Sequence, residues 1–443
     1  MDRRAFTRDL LGLLGAAGAF TVQPRPLRGA LPQASPRVDR DRLSRRLGEL
    51  AAFGRTPEGG ISRFAYGEAD LQARDYVMGL MRQAGLEVRV DAAGNILGRR
   101  AGAEEDRPPL MMGSHIDSVP EGGNFDGQVG SMGAVEVAQT LEDAGITLRH
   151  PLDVVIFQNE EAGKTGSRAM SGEVMPQELD LETRSGHTIR EGIGVLGGDP
   201  DRLESARRRP GDVAGFLELH IEQGAVLEEA GIQIGVVEGI VGIKRWTVTV
   251  HGFANHAGTT PMDARRDAML AAAQFTVAAD RVLRERPGSH VGTVGRIEAH
   301  PGVPNVIPGR VELSLELRDL AMETIDSLFG DIREAAHAIA ASTETTFAYD
   351  HFYTSQAAPT DPRIRSMVAE SAAELGLSTL AMPSGAGHDA QSIAQFAPVG
   401  MVFVPSIRGI SHSPEERTAT SDIVNGANTL LHTLLRLDAT SLI

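Results

Sequence analysis

The chain has 443 residues, of which 41% are hydrophobic and 23% charged, and its formal net charge is −16. This composition is typical of a globular protein with more than one domain, and the acidic balance argues against nucleic acid or an anionic membrane surface as partners. The chain contains no cysteine, so disulfides and thiolate ligands are excluded and any metal must be held by His, Asp or Glu.

Residues 1–37 have the features of an export signal followed by a linker. Arg3 and Arg4 precede a short Gly/Ala-rich apolar run, and a stretch rich in Pro and Arg continues to about Arg37. Paired arginines before a run too short to span a bilayer are typical of a twin-arginine signal. We therefore predict a periplasmic or secreted protein. An amphipathic N-terminal helix on a cytoplasmic protein is the alternative. No later segment predicts a membrane span, so none is expected in the mature protein.

Short apolar strands then alternate with helices. The periodicity predicts helices over 39–50 and 70–84, a hairpin over 86–91 and 95–99, a strand over 109–114, a helix over 131–144, and strands over 152–157, 215–220 and 399–405. This alternation predicts an α/β domain whose central, mostly parallel sheet is flanked by helices. In such sheets, sites form beyond the carboxyl ends of the strands.

Between residues 244 and 350 the pattern changes to β-α-β-β-α-β. Strands are predicted over 245–250, 291–299, 310–317 and 345–349, and helices over 263–283 and 322–341. This order predicts a ferredoxin-like domain, a four-stranded antiparallel sheet with two helices on one face. The catalytic domain is then discontinuous and comprises residues 38–243 and 351–443.

Candidate metal ligands lie at the ends of several predicted strands. His115 directly follows one of them and His220 ends another, Asp126 lies in a Gly-rich turn, and His412 lies in a loop of small residues. With Glu161 they form a set of nitrogen and oxygen ligands that suits Zn²⁺, Mn²⁺, Co²⁺ or Ni²⁺. Each is weak alone, because a single His or a turn Asp is more often structural.

Glu160 and Glu161 follow a buried strand. Two adjacent carboxylates there repel each other and need a compensating positive charge, which a metal ion supplies. One could bind the metal while the other acts as general base on a water. Asp117, two residues after His115, could orient that imidazole. A solvated acidic loop is the alternative for the glutamate pair taken alone.

Seven short motifs follow one another along the chain, at 113–117, 123–127, 160–161, 218–224, 256–262, 305–309 and 409–416. In this order they resemble the hydantoinase/carbamoylase branch of the M20 metallopeptidase-like amidohydrolases. That branch includes N-carbamoyl-L-amino-acid hydrolases, β-ureidopropionases and allantoate amidohydrolases. The resemblance runs from about Arg42 to the C-terminus, and the runs ELHIEQG and HAGTTPM distinguish the branch from ordinary M20 peptidases.

The resemblance implies two divalent cations per subunit, with Zn²⁺ the first choice and Mn²⁺, Co²⁺ or Ni²⁺ the alternatives. His115 and His220 would hold one cation, Glu161 and His412 the other, and Asp126 would bridge both.

The resemblance also implies roles around the cations. Glu160 would be the general base, while His256, Asn305 and Arg318 would face the substrate. Arg318 could hold the substrate carboxylate through two hydrogen bonds, and His256 could stabilise the oxyanion. Three further residues match substrate-binding positions of the branch: Gln223, Arg245 and His388.

Structural alternatives exist for two of these side chains. Arg318 could form a surface ion pair with Asp319, and His256 could cap the helix that follows Pro261. The resemblance further implies that residues 244–350 form a lid and dimerisation domain, so a homodimer is expected, with a lid residue such as His256 reaching the neighbouring subunit's site.

The implied activity is hydrolysis of the C–N bond of an N-carbamoyl-L-amino acid or related ureido acid by a metal-bound hydroxide. Glu160 would accept the proton and return it to the leaving nitrogen. An allantoate amidohydrolase is the alternative, and an aminoacylase or dipeptidase is less favoured. An exported binding protein without catalysis is the alternative of another class, although the presence of Glu160 and all five ligands argues against it.

Overall fold

The computed structural model describes residues 35–440, so nearly all of the predicted export signal and linker lies outside the described residues. The strands are β1 (Glu87–Val90), β2 (Ile96–Arg100), β3 (Leu110–His115), β4 (Leu152–Phe157), β5 (Gly215–Ile221), β6 (Ile234–Ile240), β7 (Gly242–His251), β8 (Asn255–His256), β9 (Val291–His300), β10 (Val306–Ile307), β11 (Arg310–Asp319), β12 (Thr346–Ser355), β13 (Ala358–Pro359), β14 (Thr379–Ser384) and β15 (Val399–Val404).

Helices alternate with the strands over most of the chain. They are α1 (Arg40–Leu50), α2 (Glu68–Gln83), α3 (Gln128–Asp143), α4 (Thr165–Ser171), α5 (Ile189–Val195), α6 (Val226–Ala230), α7 (Ala268–Glu285), α8 (Met322–Thr343), α9 (Pro362–Glu374), α10 (Asp389–Ile393) and α11 (Thr420–Ala439). Among residues 35–440, no helix combines the length and apolar character that crossing a bilayer requires.

The larger sheet has nine strands in the order β1-β2-β4-β3-β5-β15-β6-β13, with β14 also paired to β6. The central strands β4, β3, β5 and β15 run parallel, and antiparallel pairs flank them. All four are buried along their whole length, as expected for strands covered on both faces. The predicted α/β class with a mostly parallel central sheet is confirmed.

Apolar side chains cover both faces of this sheet. In β5, Leu217 and Leu219 join the core under α1, α2, α3, α9 and α11, while Phe216 points to the opposite core beneath α4, α6 and α10. This alternation is the normal consequence of the two-residue period of a strand. Because the central strands are buried on both faces, their ends are held in place. The candidate ligands lie at the edge of the sheet that these ends form.

The smaller sheet has the order β12-β7-β11-β9, and every neighbouring pair is antiparallel. α7 and α8 pack on one face, where Trp246, Phe275 and Leu328 are buried together. The predicted β-α-β-β-α-β order is therefore present. Its strands extend from Gly242 to Ser355, whereas the division into a discontinuous catalytic domain and a lid stays a prediction.

One predicted helix begins in a different place. The sequence pattern placed its start at residue 263, but α7 begins at Ala268, after a single 3-10 turn over Met262–Ala264. The side chain of Asp267 accepts hydrogen bonds from the amides of Met269 and Leu270, and this cap sets the helix start.

Candidate metal centre

The candidate ligands meet at one edge of the larger sheet. His115 is the last residue of β3 and His220 lies one residue before the end of β5, while the glutamate pair follows β4 and His412 lies in the loop after β15. The four strands are parallel neighbours, so their carboxyl ends share an edge. The structure thus brings together side chains that are far apart in sequence.

The carboxylate of Asp126 lies between the other candidate ligands. Its Oδ1 is 3.2 Å from Nε2 of His220 and 3.8 Å from Nε2 of His115, and its Oδ2 is 3.2 Å from Nε2 of His412. Glu161 Oε2 lies 3.5 Å from the same nitrogen of His412. Two groups of three donors therefore share one carboxylate, an arrangement compatible with divalent metal ions.

Backbone carbonyls set the tautomers of the two buried imidazoles. Nδ1 of His115 lies 3.2 Å from the carbonyl of Asp117, and Nδ1 of His220 lies 2.9 Å from the carbonyl of Ile221. A carbonyl only accepts, so both Nδ1 atoms carry the proton. In the neutral form of each ring, Nε2 then has a lone pair on the side of Asp126, which is the state a metal ligand needs. Without a metal ion the raised pKa values of both rings place a second proton on Nε2, which a bound cation would displace.

Gly127 allows the backbone to approach the His115 imidazole closely. Its φ is 75°, and a Cβ there would lie 2.3 Å from the imidazole of His115. Its amide donates to Nε2 of His220 at 3.1 Å. A residue without a side chain is therefore needed where the chain turns from Asp126 into α3.

Asp117 supports the glutamate pair as well as the histidine before it. Its carboxylate accepts hydrogen bonds from the amides of Glu160 and Glu161, each at 3.2 Å, and lies 3.6 Å from Nδ1 of His115. The carboxylate therefore holds the turn that presents both glutamates, whereas the hydrogen-bond partner of the His115 ring is the backbone carbonyl of Asp117. Glu160 Oε2 lies 3.8 Å from Nε2 of His115, on the side of the cluster.

Sequence analysis missed Glu416, a completely buried carboxylate behind the ligands. Its Oε1 accepts from the amides of Phe125 and Asp126, and its Oε2 accepts from the Ser411 hydroxyl and the His412 amide. It thereby joins the two loops that carry Asp126 and His412. Its position within the 409–416 motif was the only available signal.

The electrostatics of the cluster call for added positive charge. Burial raises the pKa of Glu161 well above its ordinary value, and the charge of Asp126 adds to this. Burial also acts to raise the pKa of Asp126, but hydrogen bonds from His220 and His412 hold it well below its usual range. Burial acts to lower the pKa of His115, but the negative charge of Glu160 outweighs it, so that pKa lies well above its ordinary value. Divalent cations among these nitrogen and oxygen donors fit this charge balance.

Two other predicted residues contact the cluster. Gln223 donates from Nε2 to Oδ2 of Asp126 at 2.6 Å. His388 is buried behind His220, with the ring centroids 4.4 Å apart, and its Nε2 lies 2.7 Å from the Ser384 hydroxyl. Burial lowers the pKa of His388 well below its ordinary value, so this ring is neutral.

The remaining predicted residues lie on the smaller sheet. Arg318 donates from Nη1 to the carbonyl of Gly385, which belongs to the loop after β14, and from Nε to Glu316. Arg245 also pairs with Glu316. Asp319 accepts from the amide of Ala321 instead, so the alternative of an Arg318–Asp319 ion pair is wrong.

His256 and Asn305 lie in the exposed ribbon formed by β8 and β10. The amides of Gly258 and Thr259 donate to Nδ1 of His256, so its Nε2 carries the proton. This ring does not cap a long helix, because Asp267 caps α7, and that alternative is also wrong. Asn305 accepts from the amide of Ala257 through its backbone carbonyl.

The structure places Arg318 and His256 at opposite ends of the smaller sheet. Arg318 is paired with Ile243 at the start of β7, whereas His256 follows His251 at the end of that strand. A strand rises by about 3.3 Å per residue, so Ile243 and His251 are roughly 26 Å apart. One subunit therefore does not bring both side chains to the same point.

Comparison with known proteins gives consistent matches. A model described as peptidase family M20/M25/M40 matches residues 111–436. An N-carbamoyl-L-amino acid amidohydrolase of Geobacillus stearothermophilus is 41% identical over 405 residues, covering 90% of this chain and 99% of that protein. An allantoate amidohydrolase of Bacillus subtilis is 34% identical, covering 88% and 95%. A crystal structure of a hydantoinase/carbamoylase family amidase from Burkholderia multivorans superimposes with a TM-score of 0.83 at 36% identity, covering 92% and 99%.

Proposed function

Since the chain belongs to peptidase family M20/M25/M40 and is a hydrolase of carbon–nitrogen bonds other than peptide bonds, we propose that it cleaves the ureido C–N bond of N-carbamoyl-L-amino acids. The observation that carries this proposal is the Asp126 carboxylate between His115, His220 and His412. N-Carbamoyl amino acids are favoured over allantoate because the Geobacillus relative is the more similar of the two.

Two divalent cations would occupy the two donor groups that share Asp126. His115 and His220 would hold the first, and Glu161 and His412 the second. Bound cations would lower the pKa of a water molecule and polarise the ureido carbonyl, which is a poor electrophile by itself. Nitrogen and oxygen donors without sulfur favour Zn²⁺, with Mn²⁺, Co²⁺ and Ni²⁺ as alternatives.

Glu160 would move the proton. Held by the backbone contact of its amide with Asp117, its carboxylate would accept a proton from the attacking water and return it to the leaving nitrogen. The bond between the carbonyl carbon and that nitrogen then breaks, releasing the amino acid and carbamic acid, which decomposes to CO₂ and ammonia. Arg318, whose Nε and Nη1 donate to Glu316 and Gly385, would hold the carboxylate of the substrate through the remaining donors of its guanidinium.

His256 would act across a dimer. It lies at the end of the smaller sheet remote from Arg318, so a site containing both needs His256 of the partner subunit. Exposed apolar side chains on this sheet's outer elements support a dimer: Leu270 and Val277 on α7, and Val291 and Ile297 on the edge strand β9. We assign the dimer interface to this surface.

A substrate panel tests the function. Metal-loaded protein is incubated with N-carbamoyl-L-amino acids, allantoate and N-acetyl amino acids, and release of amino acid and ammonia is measured together with metal content. We expect the carbamoyl compounds to have the highest kcat/KM and two metal ions per chain. A Glu160→Gln variant should keep its metal and lose about 10²–10⁴ in kcat. Release from the acetyl compounds alone would refute the ureido assignment.

Export through a twin-arginine route is proposed from residues 2–20. An N-terminal fusion of these residues to a reporter should reach the periplasm, and replacing Arg3 and Arg4 by lysine should retain the reporter in the cytoplasm. Equal distribution of both fusions would contradict the proposal.

A further inference from the structure

A carboxylate lies between two arginines on the open face of the smaller sheet. Glu316 Oε2 is 2.5 Å from Nε of Arg245, the residue of β7 that lies opposite Glu316 in the strand pairing. Glu316 Oε1 is 2.7 Å from Nε of Arg318, two residues further along β11. The guanidinium of Arg245 also lies 4.8 Å from the ring centroid of Tyr353 on β12. Three strands thus contribute to one group of charged side chains.

This group lies at the end of the sheet that approaches the larger sheet. Leu315 and Leu317 are buried under the helices, so Glu316 and Arg318 alternate to the opposite face. Arg318 Nη1 donates to the carbonyl of Gly385 at 2.6 Å, a contact between the two sheets. Among the described residues, no hydrogen bond is made by Nη2 of Arg318, so that end of the guanidinium is available to a ligand.

The charges of this group add to a single positive charge. Burial acts to raise the pKa of Glu316, but hydrogen bonds from Arg318 and Arg245 outweigh it and lower that pKa, so the side chain is ionised. One carboxylate therefore balances one of the two guanidinium groups. A ligand with one carboxylate neutralises the remainder, whereas a second carboxylate would face Glu316 without a cation to balance it.

We propose that Glu316 is a positioning and specificity residue that orients Arg318 and, by balancing Arg245, selects substrates with a single carboxylate. The proposal rests on the proposed function, in which Arg318 holds the substrate carboxylate. It goes further by predicting discrimination against N-carbamoyl amino acids with acidic side chains.

The same strand offers a matched control. Glu312 lies four residues earlier on the same face of β11 and has a side-chain exposure of 25%, against 24% for Glu316. It pairs with Arg310 two residues away, as Glu316 pairs with Arg318. It lies toward the opposite end of the sheet, away from Gly385, so its removal reports the cost of losing a sheet ion pair alone.

The experiment compares Glu316→Gln, Glu316→Asp and Glu312→Gln with the unmodified enzyme, all metal-loaded. The kcat and KM values are measured for N-carbamoyl-L-alanine and N-carbamoyl-L-aspartate. For Glu316→Gln we expect the ratio of kcat/KM, aspartate over alanine, to rise by about tenfold, mainly through KM, because a like charge has been removed. Glu316→Asp should keep the original ratio, and so should Glu312→Gln.

A ratio for Glu316→Gln within twofold of the unmodified enzyme, or an equal change in Glu312→Gln, would overturn the proposal. A binding arm separates this result from failure of the proposed function, because it needs no turnover. Protection against thermal unfolding is measured with L-alanine and L-aspartate, and Glu316→Gln should shift the preference toward aspartate. If no carbamoyl substrate is cleaved but this shift occurs, the activity is wrong and the role of Glu316 stands; without the shift, the role of Glu316 is wrong.

Discussion

At the scale of single residues, substitution of Glu416, the buried carboxylate that sequence analysis missed, should weaken metal binding. Glu416→Gln keeps the shape of the side chain but replaces one acceptor oxygen by a donor, so the contacts to the Ser411 hydroxyl, the His412 amide or the amides of Phe125 and Asp126 are lost. Residues that support metal ligands are typically worth 10–100-fold in metal affinity. We expect a loss of this size in a metal titration.

The neighbouring residue provides the control for that measurement. Glu415 is exposed and pairs with Arg408 at the surface. Glu415→Gln should bind metal as the unmodified protein does. If both variants lost affinity to the same extent, the loop as a whole would be responsible rather than the contacts of Glu416.

The cluster of candidate ligands could be predicted because chemistry and position coincide: His115, Glu161 and His220 follow or end apolar strands whose ends meet. The hydrogen bonds from the amides of Glu160 and Glu161 to Asp117, and those made by Glu416, could not be predicted, because a carboxylate that accepts backbone amides leaves no characteristic spacing in the sequence. The same holds for Glu316, whose partner Arg245 is adjacent only through strand register.

At the scale of elements, the start of α3 depends on Gly127. In Gly127→Ala, a methyl group would overlap the ring of His115, and the positive φ adds strain of about 1–3 kcal/mol. We expect a lower melting temperature and loss of bound metal, measured by calorimetry and metal analysis. Gly145 follows the same helix with φ 62° and open space around it, so Gly145→Ala should be destabilised by strain alone and keep its metal. Equal metal loss in both variants would contradict the steric explanation.

The elements themselves were predicted to within three residues over most of the larger sheet. β6 was not predicted, because it pairs with β14 and β15, which are far along the chain, and two glycines interrupt its apolar pattern. The predicted start of α7, residue 263, is five residues before the observed start at Ala268, and Asp263 and Asp267 are both residues of a type that caps helices. Only the tertiary structure shows which of them the helix uses.

At the scale of the whole molecule, the proposed interface predicts a change of mass. Val277→Asp or Ile297→Asp places a charge on an exposed apolar position of α7 or β9. We expect monomers in light scattering after size-exclusion chromatography, since a buried unpaired charge is costly at an interface. Met175→Asp, at a position outside the smaller sheet that is as exposed as Ile297 (51% against 50%), should stay dimeric. Dimeric Val277→Asp and Ile297→Asp proteins would contradict the proposed surface.

The pKa values of the candidate metal centre predict how the thermal stability of the protein depends on pH. Without metal, the pKa values of Glu160, Glu161 and His115 are raised in the folded state. Groups with raised pKa values contribute stability at low pH that is lost as pH rises through the folded-state values. Asp126, whose pKa is lowered, is ionised in both states above pH 6 and contributes no slope there. His388, whose pKa is also lowered, adds stability as pH rises through its unfolded-state value, but the raised pKa values of His220 and His412 add to the loss and outnumber it. Chelator-treated protein should therefore lose melting temperature from pH 6 to 8, while metal-loaded protein changes less. A flat profile for the chelated protein would refute this account.

The distance between Arg318 and His256 predicts complementation between two inactive variants. If each site draws one of these side chains from each subunit, two different inactive mutants can complement each other. A hybrid dimer of Arg318→Ala and His256→Ala chains would carry both defects in one site and neither in the other. Mixing and reassembling the two inactive variants should then restore part of the activity. If one chain completed its own site, the mixture would remain inactive.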